Sequence, residues 1–240
     1  MNNDIFSRLN PGISDLAPYE PGKPIDDVAK EYGISNIIKL ASNENPLGAS
    51  PKALRSIADL NDSLHLYPDG NCTELKKAIA NHEKVAEESV ILGNGSNEVL
   101  ELIARAWLNP SRNAITSRHA FAVYKIVTQA AGAKLIEVEA KNWKFNLEAF
   151  HNYLNDETAV IFIANPNNPT GTYNTHKEIE DFLSNVPSNI LVVLDCAYYE
   201  YVQENDYVDL NQLLDKYENL IVTKSFSKIQ GLAAIRLGYG

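Results

Sequence analysis

The sequence predicts an α/β fold: a mostly parallel central sheet with helices on both faces. Two observations predict it. From about residue 73 onward, short apolar runs alternate with longer stretches of helical periodicity. Two of those runs, AVIFIA at 159–164 and ILVVL at 190–194, are too apolar to leave one face wet. Strands of that kind belong in a parallel sheet covered on both sides.

The elements follow in order. The first fifty residues are punctuated by Pro11, Gly12, Pro18, Pro21, Gly22 and Pro24, which break regular structure. Within them, 26–32 is expected as a short helix and 37–40 as a short strand. Ser50 followed by Pro51 reads as an N-cap and a first-turn proline, opening a helix over 52–58. Helices are expected over 73–84, 96–108, 121–131 and 147–154. Another is expected from Thr175, with Glu178 at the spacing of a capping box. Strands are expected at 90–92, 113–116, 134–138, 159–164, 190–194 and 219–223. Ligands of such sheets bind outside the carboxyl ends of the strands. That rule places residues 93–97, 165–171, 195–198 and 224–228 on one rim.

Composition narrows the function. The chain has 240 residues, 45% of them hydrophobic and 22% charged, which is ordinary for a globular protein. A net charge of -10 argues against a nucleic-acid partner, because phosphate backbones call for basic patches. The longest apolar run, 159–164, is too short to cross a bilayer, and residues 1–12 lack the apolar core of a signal peptide. Two cysteines without CxxC spacing fit a reducing compartment, so a cytoplasmic location is expected. The five histidines form no HxxxH or HExxH pair, so no metal site is expected.

Four stretches on the rim carry chemistry. Asp195 closes an apolar strand; it could cap a helix or face water, or it could face a cation at a site. Lys228 follows the hydroxyls of Ser225 and Ser227, and Arg236 lies eight residues on. Hydroxyls and an arginine suit a phosphate dianion. A lysine among them could be one more phosphate ligand, or a nucleophile forming a Schiff base with an aldehyde. GNGSNE at 93–98 stands between a strand and a helix, where free N–H groups attract anions. Glu98 occupies the place of the third glycine of a dinucleotide fingerprint, so that signal is weak, and a plain tight turn is the alternative. NPNNPTG at 165–171 reads as a turn by composition, yet its asparagines sit where an amide could meet a ligand. One of its X-Pro bonds can be cis, which would fix that aim.

Taken together, these motifs resemble the fold-type I pyridoxal-phosphate (PLP) aminotransferases, in particular the class-II histidinol-phosphate aminotransferase family. The resemblance runs through NPGI at 10–13, APYEPGKPI at 17–25, KLASNENPLG at 39–48 and YPD at 67–69. It continues through GNGSNE, AFAVY at 120–124, NPNNPTG, DCAY at 195–198 and SFSKI at 225–229. It implies PLP as cofactor, with Lys228 as the residue that links to it covalently and later shuttles a proton. It implies that Asp195 keeps the pyridinium nitrogen protonated. Tyr198 and Asn168 would hydrogen-bond the ring's phenolic oxygen, and Phe121 would stack on the ring, unless it is only a core aromatic. Ser96, Asn97, Ser225, Ser227 and Arg236 would hold the phosphate. Tyr67 would reach the phosphate of a neighbouring subunit, which implies a homodimer, and Asn45 would line the substrate pocket.

The implied reaction is ping-pong transfer of an amino group between L-histidinol phosphate and 2-oxoglutarate, in histidine biosynthesis. Within the same fold, an aromatic-amino-acid aminotransferase and a threonine-phosphate decarboxylase are the alternatives. From other classes come a non-catalytic fragment and a dinucleotide-dependent oxidoreductase. Ile229 and Ala234 stand where many relatives have smaller residues. The resemblance implies an N-terminal arm and small-domain segment over 1–50 and a PLP-binding large domain over 51–240. It also implies truncation: a small C-terminal domain, and the arginine that grips the substrate carboxylate, would lie beyond Gly240.

Overall fold

The structure, a computed structural model, describes residues 5–19, 22–60 and 63–240. Glu20 and Pro21 of the 17–25 motif lie outside the described residues.

Seven strands form one sheet: β1 (Leu92–Asn94), β2 (Asn113–Ser117), β3 (Lys134–Val138), β4 (Thr158–Ala164), β5 (Leu191–Asp195), β6 (Leu220–Ser225) and β7 (Leu237–Tyr239). Their order across the sheet is β1-β7-β6-β5-β4-β2-β3. From β6 to β3 every pairing is parallel, and β7 runs antiparallel to both of its neighbours. All residues of β2, β4 and β5 are buried. Successive side chains on a strand point to opposite faces, so unbroken burial means that both faces are covered. The sheet expected from the two apolar runs is present, and those runs lie side by side at its centre, with Ala164 paired to Asp195.

The helices are α1 (Ile25–Tyr32), α2 (Pro51–Ala58), α3 (Thr73–Glu83), α4 (Ser96–Trp107), α5 (Ala122–Ala130), α6 (Leu147–Phe150), α7 (His176–Leu183) and α8 (Leu210–Lys216). Helix α4 turns Val99, Leu100, Ile103 and Ala104 inward and packs against α5 and the sheet. Local signals set the helix starts. The Ser50 hydroxyl accepts from the Ala53 N–H, with Pro51 in the first turn. Thr175 and Glu178 complete the capping box on α7. Phe150 of α6 packs edge-to-face on Phe182 of α7 and tilts against Phe145.

Several expectations change. Residues 37–40 form no strand: Ile38 and Leu40 are exposed, and no strand lies beside them among the described residues. A strand without a partner leaves its backbone groups to water. The first strand falls at Leu92–Asn94 rather than 90–92, because β7 pairs there and Val90 closes a 3₁₀ turn over Glu87–Ser89. The helix over 147–154 tightens to a 3₁₀ turn at His151–Tyr153. Helix α8, capped by Asp209, and strand β7 were not expected. Before Ile79 no described residue is buried, so the packed body begins in α3.

Phe150→Ala should lower the unfolding free energy by about 3–5 kcal/mol, since it opens a cavity among packed rings. Thr175→Ala should cost about 1 kcal/mol, the worth of a helix cap. Urea unfolding midpoints check both; equal losses would contradict this picture of the core.

Candidate active site

Strands β4, β5 and β6 are parallel and in register, with Asp195 beside both Ala164 and Thr223. Their carboxyl ends therefore open onto one rim. A cavity of about 970 Å³ lies there. It gathers Ser96, Asn97, Phe121, Asn168, Asp195, Tyr198, Ser225, Ser227, Lys228 and Arg236 from six separate stretches of chain. Ten of the twelve residues that the sequence nominated thus meet in one place, as the parallel topology requires.

Asp195 is buried at the end of β5. The Tyr124 hydroxyl donates to its Oδ2 at 2.8 Å, and the Ala197 N–H donates to its Oδ1 at 3.3 Å. Burial pushes the Asp195 carboxyl above its ordinary pKa, and those hydrogen bonds oppose the push. Lys228 donates from Nζ to the Ser42 carbonyl at 3.0 Å and lies 5.5 Å from the centre of the Tyr198 ring. Burial lowers the pKa of its amine; Glu44 opposes this, Arg236 reinforces it and Asp195 opposes it. A partly desolvated amine of that kind is a competent nucleophile. Asn43 donates to the Tyr198 hydroxyl at 2.9 Å.

The opposite end of the cavity suits an anion. Helix α4 begins at Ser96, so its first N–H groups and its positive dipole end point at the cavity mouth. The Gly95 N–H donates to the Arg236 carbonyl at 2.7 Å, and the guanidinium lies against Gly95. A Cβ at Gly95, where φ is +75°, would sit 2.4 Å from the Arg236 guanidinium. The glycine is needed for that approach. The Arg236 Nη1 also donates to the Ala233 carbonyl at 3.1 Å and reaches Ser227 Oγ at 3.5 Å. Ser225 Oγ accepts from the Ser227 N–H at 3.0 Å, which folds the two hydroxyls together. Glu98 does not line this site: its carboxylate accepts from the Asn94 N–H at 2.6 Å, one residue before the helix N-cap Gly95.

Asn45 and Tyr67 are the two nominated residues outside the lining. Asn45 donates to the Ile229 carbonyl at 2.8 Å, and its Oδ1 accepts from the Leu47 N–H. One end of that amide ties residues 45–48 to the turn over residues 229–231, and the other closes its own turn at Leu47. Tyr67 is fully exposed. In the 165–171 loop, both the Asn165–Pro166 and the Asn168–Pro169 bonds are cis.

The cavity also holds residues that the sequence did not nominate: Tyr19, Ser42, Asn43, Glu44 and Tyr124. Tyr124 had a signal, since it stands three positions after Phe121 on α5 and so shares its face. Residues 42–44 reach the site only because the chain folds back across the rim, with Gly231 leaving room for the Gly48 carbonyl. No local pattern announces that.

A buried carboxylate, a desolvated lysine and an anion cradle in one cavity can hold an aldehyde that carries a phosphate. The family model for class I and II aminotransferases matches residues 35–240. The chain belongs to the class I and II aminotransferase family. It is 53% identical to histidinol-phosphate aminotransferase 2 of Pseudomonas fluorescens, over 100% of this chain and 65% of that protein. It is 52% identical to the protein of the same name in Hydrogenovibrio crunogenus, over 100% and 64%. The chain thus spans about 65% of the length of these curated relatives. Among solved structures it resembles histidinol-phosphate aminotransferase of Sinorhizobium meliloti in complex with pyridoxal-5'-phosphate. The TM-score is 0.87 at 26% identity, covering 98% of this chain and 62% of that one. Aspartate aminotransferase of Thermotoga maritima shares the fold, with a TM-score of 0.80 at 22% identity over 95% and 64% of the two chains.

The raised pKa of Asp195 makes a stability prediction. Its native pKa lies above the unfolded value, so its contribution is fully present below the unfolded pKa and is lost as pH rises through the native one. Asp195→Asn should therefore raise the urea midpoint of the chain, without added ligand, at pH 7. The gain should shrink as the solution is acidified. A variant no more stable than wild type at pH 7 would contradict the assigned burial.

Proposed function

We propose that this chain is the PLP-binding part of an aminotransferase that moves an amino group between L-histidinol phosphate and 2-oxoglutarate, in the cytoplasm. The observation that carries the reading is the single cavity in which Lys228, Asp195 and the Gly95–Arg236 cradle converge. The fit to PLP is chemical. The cradle offers helix N–H groups, two hydroxyls and an arginine to a phosphate, and Asp195 offers a buried acceptor to a ring nitrogen. When bound, PLP supplies an electron sink next to the substrate Cα.

The chain's own residues do the rest. Ser96, Asn97, Ser225, Ser227 and Arg236 hold the phosphate. Phe121 would stack on the ring, while Asn168 and Tyr198 would hydrogen-bond the phenolic oxygen. Asp195 keeps the ring nitrogen protonated. Lys228 would hold PLP at its aldehyde carbon and, as the free amine, would take up a proton from the substrate Cα. Its depressed basicity suits both roles, because the free amine is the reactive form.

The substrate reading rests on the relatives named above; alanine, aspartate and aromatic aminotransferases share the fold, which therefore does not choose among them. A threonine-phosphate decarboxylase has the fold as well, at a TM-score of 0.67. The division into an N-terminal arm over 1–50 and a large domain from residue 51 belongs to the same proposal, as does the homodimer. Exposure of Leu47, Leu64, Leu66 and Tyr67 supports a partner over the N-terminal segment. No helix of the described residues is long and apolar enough to cross a membrane.

Borohydride reduction of the chain with PLP, followed by peptide mass mapping, should place a phosphopyridoxyl group on Lys228. Lys228→Ala should take none. A folded wild-type chain with no adduct at Lys228 would overturn the reading. In single-turnover assays L-histidinol phosphate should react faster than L-tyrosine, and threonine phosphate should release no carbon dioxide; the reverse ranking would reassign the substrate.

A further inference from the structure

Tyr124 is fully buried on α5. Its ring stacks on Phe162, with centroids 5.1 Å apart and planes 3° from parallel. It also meets Phe121 edge-on at 5.8 Å. The hydroxyl at the end of this locked ring donates to Asp195 Oδ2 at 2.8 Å. The Ala197 N–H holds Oδ1 of the same carboxylate. We propose that Tyr124 is a positioning residue for the reaction: its O–H fixes the Asp195 carboxylate so that a free lone pair faces the ring nitrogen of bound PLP. The proposal rests on the cofactor reading given above.

Two physical points support it. A carboxylate has about four lone-pair sites. With one oxygen held by Tyr124 and the other by backbone, the rotation that would turn the remaining sites away from the cavity is blocked. The direction of the hydrogen bond also matters. Burial and the nearby Asp195 charge push the Tyr124 phenol well above its usual pKa, so it stays a donor. A permanent donor favours the ionised carboxylate, which is the form that can keep a pyridinium proton on nitrogen. The titratable groups around Asp195 are Tyr124 from α5, Lys228 beyond β6, and Cys196 and Tyr198 beyond β5 itself. Among them Tyr124 does most to offset the burial of the carboxylate.

Tyr124→Phe removes the donor and keeps the ring. Carbon-13 NMR of the Asp195 carboxyl, in the chain without PLP, should show its titration midpoint rising by roughly one to two pH units, the worth of a hydrogen bond to a charged group. With PLP bound, nitrogen-15 NMR should show the ring nitrogen of the variant shifted toward its unprotonated position, and single-turnover kcat should fall roughly tenfold to a hundredfold. Phe162→Leu loosens the ring but keeps the O–H, and should leave the Asp195 midpoint near wild type. An unmoved midpoint in Tyr124→Phe, or an equal rise in Phe162→Leu, would overturn the proposal while the Lys228 adduct still stood. A wild-type chain that takes no adduct would overturn the cofactor reading and this proposal with it.

Discussion

Placing a carboxylate in a protein interior is costly unless hydrogen bonds or an opposite charge compensate, and the end of β5 is built around that cost. Asp195 sits where the central strand stops, buried, with a tyrosine hydroxyl on one oxygen and a backbone N–H on the other. The ring stack of Phe162, Tyr124 and Phe121 and the turn at residues 195–198 all bear on where its oxygens point. Such a site is less stable than an apolar one. A protein carries it when the carboxylate is needed, and stability is commonly given up at working sites.

The remainder of the cavity follows from topology. Parallel strands in register bring their carboxyl ends to one level, so loops far apart in sequence share one rim. Strand β7 is antiparallel, and through its pairing with β1 it sets the start of α4 beside Arg236. Close packing leaves no space for larger residues at this junction. A Cβ on Gly238 would lie 2.2 Å from the Ser96 nitrogen, and one on Gly95 would strike the Arg236 guanidinium. The anion cradle is therefore a consequence of how two short strands and one helix meet, with the arginine held by Ala233, Ser227 and Gly95.

Much of this was legible in the sequence, for reasons that can be named. The runs at 159–164 and 190–194 could only be strands covered on both faces, and the residues that follow them had to share a rim. Local chemistry marked Ser50 and Thr175 as helix starts, and both side chains cap as expected. What failed depended on distant partners. Residues 37–40 look like a strand, yet nothing beside them completes a ladder among the described residues. Strand β1 was misplaced because its bounds are set by β7, more than a hundred residues away. Asn45 bonds the Ile229 carbonyl, 184 positions on, which no local pattern announces. The spacing from Phe121 points Tyr124 toward the site, but its partner Asp195, seventy-one positions on, is visible only in the fold.

The central claim is that one cavity positions a single cofactor between Lys228, Asp195 and the α4 terminus. A crystal structure of the chain grown with PLP tests it most directly. The account predicts continuous density from Lys228 Nζ to the cofactor, its ring nitrogen within hydrogen-bonding distance of Asp195, and its phosphate against residues 95–97 and Arg236. Ordered PLP bound elsewhere, or in this cavity with its phosphate turned toward Asp195, would contradict it.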